Sequence, residues 1–478
     1  MVNQTQSIRI SKAGVTLSLL LVLVYLKIHL TIPGLGIPYF WAHALAWLYL
    51  IRTNRAKMTL GFTALAAFAL LFQYLLTAAS YTNPSKQDSQ YFIYWLLNFG
   101  TFLGSIAVLQ DCNPGTINRI CRFFLYGMLL IAFSEVYLGA RPLIDEIRSL
   151  YTSTSSLYNF VDRDIQQYGA VRATALTSEP SSAGNYFGFL VILLIATSQR
   201  MKIAFIEALV LCIAATYLFR TPTLTFYIAF AGIILVFGKS NSKRTILGNG
   251  LACVTLAGAI VVPYLLYLNV LPGLASYTGG FTSTGSFYIR QIAPINTFLG
   301  MISESPLMGF GFQYSEHSRD INSVVLASDY GGFYTTSQLS DMQAGQFSTN
   351  AFWEFFSTNG ILGSIVLLAI YRKALRAMNV PHHLFILLGS STLLLAHGGL
   401  ILPFTWTPVV ALAYFAWRRG KANSSTHFDA VSHGELSATQ DSGLGAHNSL
   451  AGQAGPALTT KVLNFTSGTG KRQDNRWR

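Results

Sequence analysis

Long runs of apolar residues, divided by short polar segments, make up most of the chain as far as residue 418. A bilayer core requires about 20 apolar helical residues for each crossing. Twelve runs approach that length, and the second, sixth and eighth of them are short. The pattern therefore predicts an all-α polytopic membrane protein with about 12 transmembrane helices. The predicted spans are 14–31, 36–51, 59–77, 91–110, 121–139, 183–198, 203–219, 224–238, 246–268, 351–370, 384–401 and 404–417.

The composition agrees with this pattern. Of the 478 residues, 52% are hydrophobic and only 11% are charged, whereas a soluble globular chain carries roughly 25% charged residues. This balance excludes a soluble enzyme. Residues 419–478 differ from the rest, since they are rich in Ser, Gly, Ala, Thr and His and have no hydrophobic periodicity. We interpret 1–418 as the transmembrane body and 419–478 as a disordered cytoplasmic tail.

The net charge is +13, and its interpretation depends on where the basic residues lie. Most of them fall in one set of loops between predicted spans, such as the loop with Arg52 and Arg55, and in the tail. The positive-inside rule makes those loops cytoplasmic, and an even number of spans then places both termini in the cytoplasm. Nucleic-acid binding is not needed to explain the charge. Lys27, inside the first predicted span, is interpreted as snorkelling or locally paired.

Two exported loops, 140–182 and 269–350, are far longer than a connection between spans requires. Loops of that size usually hold a function. They also carry arginines on the side of the membrane where basic residues are scarce, and arginine in such a place indicates an anionic partner. These arginines are Arg141, Arg148, Arg163, Arg172 and Arg290.

Arg172 begins a segment that leads directly into the sixth predicted span. Glu179-Pro180 interrupts the loop, and Ser181 is suited to cap the helix that follows. A guanidinium beside a helix N-terminus forms a phosphate cradle, because its fork binds two oxygens and the helix dipole has the favourable sign. An interfacial arginine that contacts lipid headgroups is the alternative.

Two further arginines are candidates for the same chemistry. Arg220 lies in the turn between the seventh and eighth predicted spans, where a headgroup anchor is the more common role. Arg290 lies in the second long loop, ahead of a turn that contains Pro306, Gly309 and Gly311. Glycines in such a turn allow the backbone to approach something bound.

The second long loop ends at Thr349-Asn350, and Glu354 follows on the same helix face as Asn350. An ionisable residue near the end of a span is a functional candidate, and a surface carboxylate paired with an arginine is the alternative. Aromatic residues such as Tyr288 crowd the loops, where their rings are suited to stacking on sugars or to packing. No spacing of His, Cys and carboxylate residues indicates a metal site, so we expect no metal and no cofactor.

In their order and placement these segments resemble the superfamily of O-antigen ligases and Wzy-type polysaccharide polymerases of bacterial inner membranes. The likeness covers roughly residues 120–370 and the pattern of spans. It implies a GT-C-like glycosyltransferase architecture with two long periplasmic loops. The matching segments are Arg172 through Gly184, Leu218-Phe-Arg220, Arg290 with Ser305-Pro-Leu-Met-Gly-Phe-Gly311, and Thr349-Asn350 with Glu354 and Asn359-Gly360-Ile-Leu-Gly363.

The resemblance implies a polymerase of O-antigen or exopolysaccharide biosynthesis. Its substrate would be an oligosaccharide repeat unit linked to undecaprenyl diphosphate, and the growing chain would pass to a hydroxyl of the next lipid-linked unit. Arg172, Arg220 and Arg290 would hold the diphosphate leaving group. Glu179 and Glu354 would act as base or orient the acceptor. The candidate substrate-binding residues are Thr349, Asn350, Gly309, Gly311 and Tyr288. Besides membrane lipid, a chain-length regulator protein is a candidate partner.

One departure from the family pattern bears on the choice of activity. Ligases of this superfamily have a His just before the Asn, where this chain has Thr349. A polymerase is therefore favoured, and a ligase that joins a finished glycan to its acceptor is the enzymatic alternative. A flippase for lipid-linked oligosaccharides is the non-enzymatic alternative, because twelve spans with both termini inside is a common transporter plan. A flippase would carry such charges in a central cavity at mid-membrane, so the arginines in external loops count against this alternative.

Overall fold

The structure is a computed structural model that describes residues 11–28, 30–32, 35–37, 39–78, 86–151, 164–165, 170–221, 223–237, 242–267, 288–328, 347–395, 397–398 and 403–421. The chain divides into two units, Met1–Ser424 and Ser425–Arg478. The second unit, and with it nearly all of the predicted tail 419–478, lies outside the described residues. The last described helix continues to residue 421, slightly beyond the predicted boundary at 418.

Helices form nearly all of the described part of the chain. Side chains cap several of them, since Asn113 accepts a hydrogen bond from the backbone N–H of Gly115 and Asn350 accepts one from Trp353. The cap predicted at Ser181 is wrong, because the helix begins at Pro180 with Glu179 as its N-cap residue and has no side-chain cap hydrogen bond there. In chain order the helices are α1 (Lys12–Leu26), α2 (Phe40–Arg52), α3 (Ala56–Ala78), α4 (Lys86–Asp111), α5 (Pro114–Tyr137), α6 (Arg141–Ser149), α7 (Pro180–Thr197), α8 (Met201–Phe219), α9 (Thr223–Phe237), α10 (Ser242–Tyr267), α11 (Ala293–Glu304), α12 (Tyr314–Ser328), α13 (Ala351–Ala377), α14 (His383–Leu394) and α15 (407–421). Short helical turns at Tyr288–Ile292, Gly311–Gln313 and Pro403–Trp406 complete the list.

Each of the twelve predicted apolar segments overlaps one of these helices. Within the described residues, six helices are long and apolar enough to cross a membrane. Shorter apolar helices occur at Lys12–Leu26, Thr223–Leu235, Leu247–Val262 and His383–Leu394. The helical prediction is thus confirmed, and the six long helices indicate a membrane protein. They are Ala56–Gln73, Phe92–Asp111, Pro114–Tyr137, Pro180–Thr197, Met201–Phe219 and Ala351–Ala377.

The first predicted span, 14–31, is longer than the helix that forms there. Helix α1 ends at Leu26, because Lys27 adopts a left-handed conformation with φ of 52°. A small antiparallel hairpin of β1 (Leu30–Ile32) and β2 (Leu35–Ile37) then carries the chain back. Lys27 therefore lies at the end of the helix and not inside a span.

Helix α7 is the centre of the bundle. In its 18 residues, 94% of the positions are buried inside the protein, compared with 39% in the adjacent α8. Two glycines on α7 explain how closely α9 approaches it. A Cβ on Gly188 would lie 2.2 Å from the ring of Tyr227, and a Cβ on Gly184 would lie 2.3 Å from Thr221. Small residues allow this close packing of helices in a membrane.

Hydrogen bonds tie several helix ends together away from the long loops. Gln110, near the end of α4, donates to the carbonyl of Met378 just after α13 at 2.7 Å. Arg418, near the end of α15, donates to the carbonyl of Ala196 near the end of α7. These ends share one side of the bundle, which carries the basic connections after α7 and α13. We call it the basic end.

Candidate functional site

The segment that begins at Arg172 has an unusual backbone. Ala175 and Leu176 both lie in the left-handed region, with φ of 45° and 72°, where a residue with a side chain is strained. Glu135 of α5 offsets this strain, because its buried carboxylate accepts hydrogen bonds from the N–H groups of Thr174 and Ala175 at 2.9 and 2.7 Å. Its other oxygen accepts from the Thr174 hydroxyl at 2.7 Å. This segment is therefore held in one shape.

Arg172 is buried at 8% exposure. Its Nε donates to the carbonyl of Phe219 at 3.2 Å, at the C-terminus of α8, where the helix dipole favours a cation. Its Nη1 lies 3.9 Å from a carboxylate oxygen of Asp164. The carbonyl of Arg172 accepts a hydrogen bond from Arg141 at 3.1 Å. The guanidinium is thus fixed by the helix end that precedes Arg220.

Glu179 occupies the N-cap position of α7 and is half-buried. Burial acts to raise the pKa of this carboxyl, but the charge of Arg290 opposes burial most strongly. A hydrogen bond from Ser181 and the charges of Lys27 and Arg172 act in the same direction as Arg290. The balance holds the pKa of Glu179 below its ordinary value. Glu179 is therefore an ionised counter-ion among three cations, and we call these four residues the Glu179 cluster.

The charges of this cluster do not cancel. Three cations surround Glu179, and Asp164 adds a second carboxylate beside Arg172. One positive charge is left in excess, and Arg290 is the exposed member. The arrangement suits an anion that enters from the side of Arg290.

The backbone of Arg290 is anchored by two predicted site residues. The side-chain amide of Asn350 donates to the carbonyl of Arg290 at 3.1 Å and to the carbonyl of Leu395 at 2.9 Å. The backbone N–H of Thr349 donates to the carbonyl of Ile289 at 3.2 Å. Asn350 also caps α13. Arg290 lies in the turn Tyr288–Ile292, which we call the arginine turn. This turn is therefore attached to the start of α13 and the end of α14.

Tyr288, a candidate for sugar stacking, is fully buried. Its hydroxyl donates to Asn322 at 3.1 Å and accepts from the amide of Asn296 at 3.2 Å. In this state the ring is a packing element that joins α11 and α12 beneath the arginine turn, and its face is not open to a sugar.

Gly309 and Gly360 make the closest backbone approach in the site region. Helix α13 is interrupted at Gly360, where φ is 63°, and a Cβ on Gly309 would lie only 2.3 Å from the Gly360 nitrogen. Gly311 also has a positive φ of 59°. The close approach predicted for this glycine turn is thus an approach to another part of the chain.

The turn also satisfies backbone groups that the break in α13 leaves open. Phe310 N–H donates to the carbonyl of Ser357 at 2.8 Å, and Ile361 N–H donates to the carbonyl of Pro306 at 2.9 Å. Gln73 of α3 donates to the carbonyl of Thr358 at 2.8 Å. Irregular backbone at membrane depth requires partners of this kind.

Arg220 and Glu354 are the remaining charged residues of the predicted site. The guanidinium of Arg220 lies 5.6 Å from the ring centre of Tyr217, and the residue itself has a left-handed φ of 47°. Glu354 is buried at 5% exposure, near Tyr314. Arg220 directly follows Phe219, whose carbonyl accepts the hydrogen bond from Arg172.

Three charged residues of the site region were missed by sequence reasoning. Lys27 joins the Glu179 cluster, Asp164 pairs with Arg172, and Glu135 holds the strained segment. A lysine that interrupts an apolar run and an acidic residue near the end of one were the available signals. Their partners are more than 30 residues away in most cases, so local pattern could not identify them.

Among the residues that the structure describes, no group of three or more His, Cys, Asp or Glu side chains is placed to hold a metal ion. Comparison with known proteins adds no assignment: no protein-family model, no curated protein and no solved structure matches the chain.

Proposed function

We propose that this protein is a polysaccharide polymerase, a metal-independent glycosyltransferase that joins undecaprenyl-diphosphate-linked oligosaccharide repeat units. The observation that carries the proposal is that Arg172 and Arg290, from two separate long loops, converge on Glu179. In this proposal the chain crosses the bacterial inner membrane twelve times with both termini in the cytoplasm, and the cluster lies on the periplasmic face. The family likeness of the loops supports the same reading.

The reaction needs a site that stabilises departing diphosphate. The acceptor hydroxyl attacks the anomeric carbon of the growing chain, the bond from that carbon to the diphosphate oxygen breaks, and the hydroxyl proton passes to a base. Arg290, exposed and pre-positioned by Asn350, binds the diphosphate first. Arg172 and Lys27 add positive charge behind it. Each such contact in a water-poor site contributes about 3 kcal/mol to lowering the barrier.

The two carboxylates take different roles in this proposal. A carboxyl with a lowered pKa is a weak base, so Glu179 balances charge in the resting site and orients the cations. Glu354, buried one helical turn after Asn350, is the candidate base for the acceptor hydroxyl. Arg220 and the Thr349 hydroxyl support the site from its edges.

The test compares glycans from cells that express the parent chain, Arg290→Ala or the control Arg319→Ala. Arg319 is exposed, lies in the same long loop and pairs only locally with Asp320. We expect Arg290→Ala to lose polymer and accumulate single lipid-linked repeat units, while the control makes normal polymer.

Two other outcomes would replace the proposal. Intact long polymer that stays on undecaprenyl diphosphate would indicate a ligase. Repeat units trapped on the cytoplasmic leaflet would indicate a flippase. Mass spectrometry of the lipid-linked fraction, with and without permeabilisation of the membrane, separates the three.

A further inference from the structure

A lateral groove of about 810 Å³ runs along α13, α14 and the start of α15, apart from the Glu179 cluster. Most of its wall is aromatic or aliphatic, with Phe102, Tyr371 and Trp406 among the lining residues. The lining changes at the basic end, and none of the lining residues is acidic. The basic lining residues are Arg372, Lys373, Arg376, His382 and His383.

The positive charges at this end of the groove are not neutralised by carboxylates within the described residues. The ion pairs found there involve other arginines, and none includes Arg372, Lys373 or Arg376. All three side chains are exposed. The Nε2 atom of His383 is buried and has no hydrogen-bond partner. The groove thus ends in three exposed cationic side chains.

The pKa of His382 is consistent with the same excess of positive charge. Burial, followed by the charges of Arg419 and His383, holds the pKa of His382 below its ordinary value. No carboxylate appears among the causes of this shift.

The groove follows α14 for its whole length. This helix has 12 residues, which corresponds to about 18 Å at 1.5 Å per residue. An acyl chain whose headgroup sits at the basic end would reach approximately to Leu394, the last residue of α14 on this wall.

We propose that this groove binds one anionic glycerophospholipid, with its phosphate at Arg372, Arg376 and His383 and its acyl chains along α13 and α14. Basic clefts between transmembrane helices bind anionic headgroups in this way, and the guanidinium fork matches phosphate oxygens. The apolar wall accepts any acyl chain, so selectivity comes from the headgroup. This site is independent of the proposed polymerase activity.

Trp406 provides a direct test, because its ring lines the groove. The full-length protein is reconstituted into phosphatidylcholine vesicles that contain brominated phosphatidylglycerol or brominated phosphatidylcholine of equal chain length. The Trp406 contribution to quenching is the difference between the parent chain and Trp406→Phe. We expect the phosphatidylglycerol to quench this contribution preferentially. The double variant Arg372→Ala/Arg376→Ala should reduce that preference about tenfold.

The matched control is Arg200→Ala/Lys202→Ala, which removes two exposed basic residues from the same end of the bundle but outside the groove. It should keep the preference. Equal quenching by the two lipids, or the same loss in the control, would overturn the proposal, as would displacement by a polyprenyl monophosphate in preference to phosphatidylglycerol. Native mass spectrometry of the unmodified chain gives a second readout, which should show a retained phosphatidylglycerol and no retained phosphatidylcholine.

Discussion

The side-chain amide of Asn350 donates to the backbone carbonyl of Arg290 across 60 residues of sequence, at 3.1 Å. The same amide donates to the carbonyl of Leu395. One polar side chain therefore connects the arginine turn with the start of α13 and the end of α14. This bond therefore helps to fix the backbone of Arg290.

Replacement of Asn350 by Ala should displace Arg290. Both hydrogen bonds of the side-chain amide are lost, and the carbonyls of Arg290 and Leu395 are left without this donor. We therefore expect a loss of about 2 kcal/mol in the free energy of unfolding. Chain growth should fall with it. Asn118→Ala is the matched control, because its side-chain amide also donates to a backbone carbonyl, that of Leu194, but at the basic end and away from the Glu179 cluster. Equal losses in both variants would show that the amide has no special part.

The guanidinium fork of Arg290 should matter beyond its charge. Arg290→Lys keeps the cation but loses bidentate binding, and we expect chain growth to fall about tenfold, against about a hundredfold for Arg290→Ala. Initial rates of polymer formation on purified lipid-linked repeat units measure this. Normal rates in the lysine variant would mean that a point charge is sufficient.

Glu179 should contribute to stability only while it is ionised. Its pKa is lowered on folding, so this contribution is complete above the unfolded pKa of about 4.3 and is lost as the pH falls through the lower folded value. The melting temperature of the parent chain should therefore exceed that of Glu179→Gln at pH 7, and the difference should shrink only at pH below about 4.3.

The exposed Glu146→Gln provides the reference for this experiment, since it lies on α6 in the same long loop. The melting temperature of Glu146→Gln should differ little from that of the parent chain over the same range of pH. If the melting-temperature difference between the parent chain and Glu179→Gln already shrinks between pH 8 and pH 6, the pKa of Glu179 is not lowered.

Gly309→Ala should be strongly destabilising. The added methyl group would meet the backbone of Gly360 at 2.3 Å, and φ is 71° at this position. We expect a loss of about 3 kcal/mol in the free energy of unfolding. Gly258→Ala, in α10 with nothing within 4 Å of the new methyl, should be neutral or stabilising by about 1 kcal/mol. Denaturant titration in one detergent compares the two, and equal effects would show that contact with Gly360 is unimportant.

The positions of the apolar helices could be predicted from the sequence, because a long apolar run forms a helix that avoids water either inside the protein or in lipid. The end of α1 could not be predicted, since Lys27 leaves the helix through a backbone conformation that composition does not encode. Glycines at 309 and 311 were recognised as sites of close approach. What approaches Gly309 is Gly360, and that pairing depends on how two distant segments pack.

The candidate site could also be predicted only in part. Arg172, Glu179 and Arg290 could be selected because charges in long exported loops are unusual, and the structure brings these three together. Arg220 could be selected on the same ground, yet its guanidinium lies against Tyr217. Tyr288 has the residue type for stacking, but burial and two hydrogen bonds occupy it. Residue type indicates a capability, whereas tertiary packing decides whether it is accessible.

The strained segment after Arg172 has a consequence for the order in which the protein matures. Its partners are Glu135, which is synthesised before it, and Phe219, which is synthesised after it. Arg290 and Asn350 follow later still. Because chains are made from the N-terminus, a nascent chain can hold Ala175 and Leu176 through α5 and through the hydroxyls of Tyr25 and Tyr151 before α8 has been made. The Glu179 cluster is therefore complete once Arg290 has been made, and Asn350, which anchors the backbone of Arg290, follows 60 residues later.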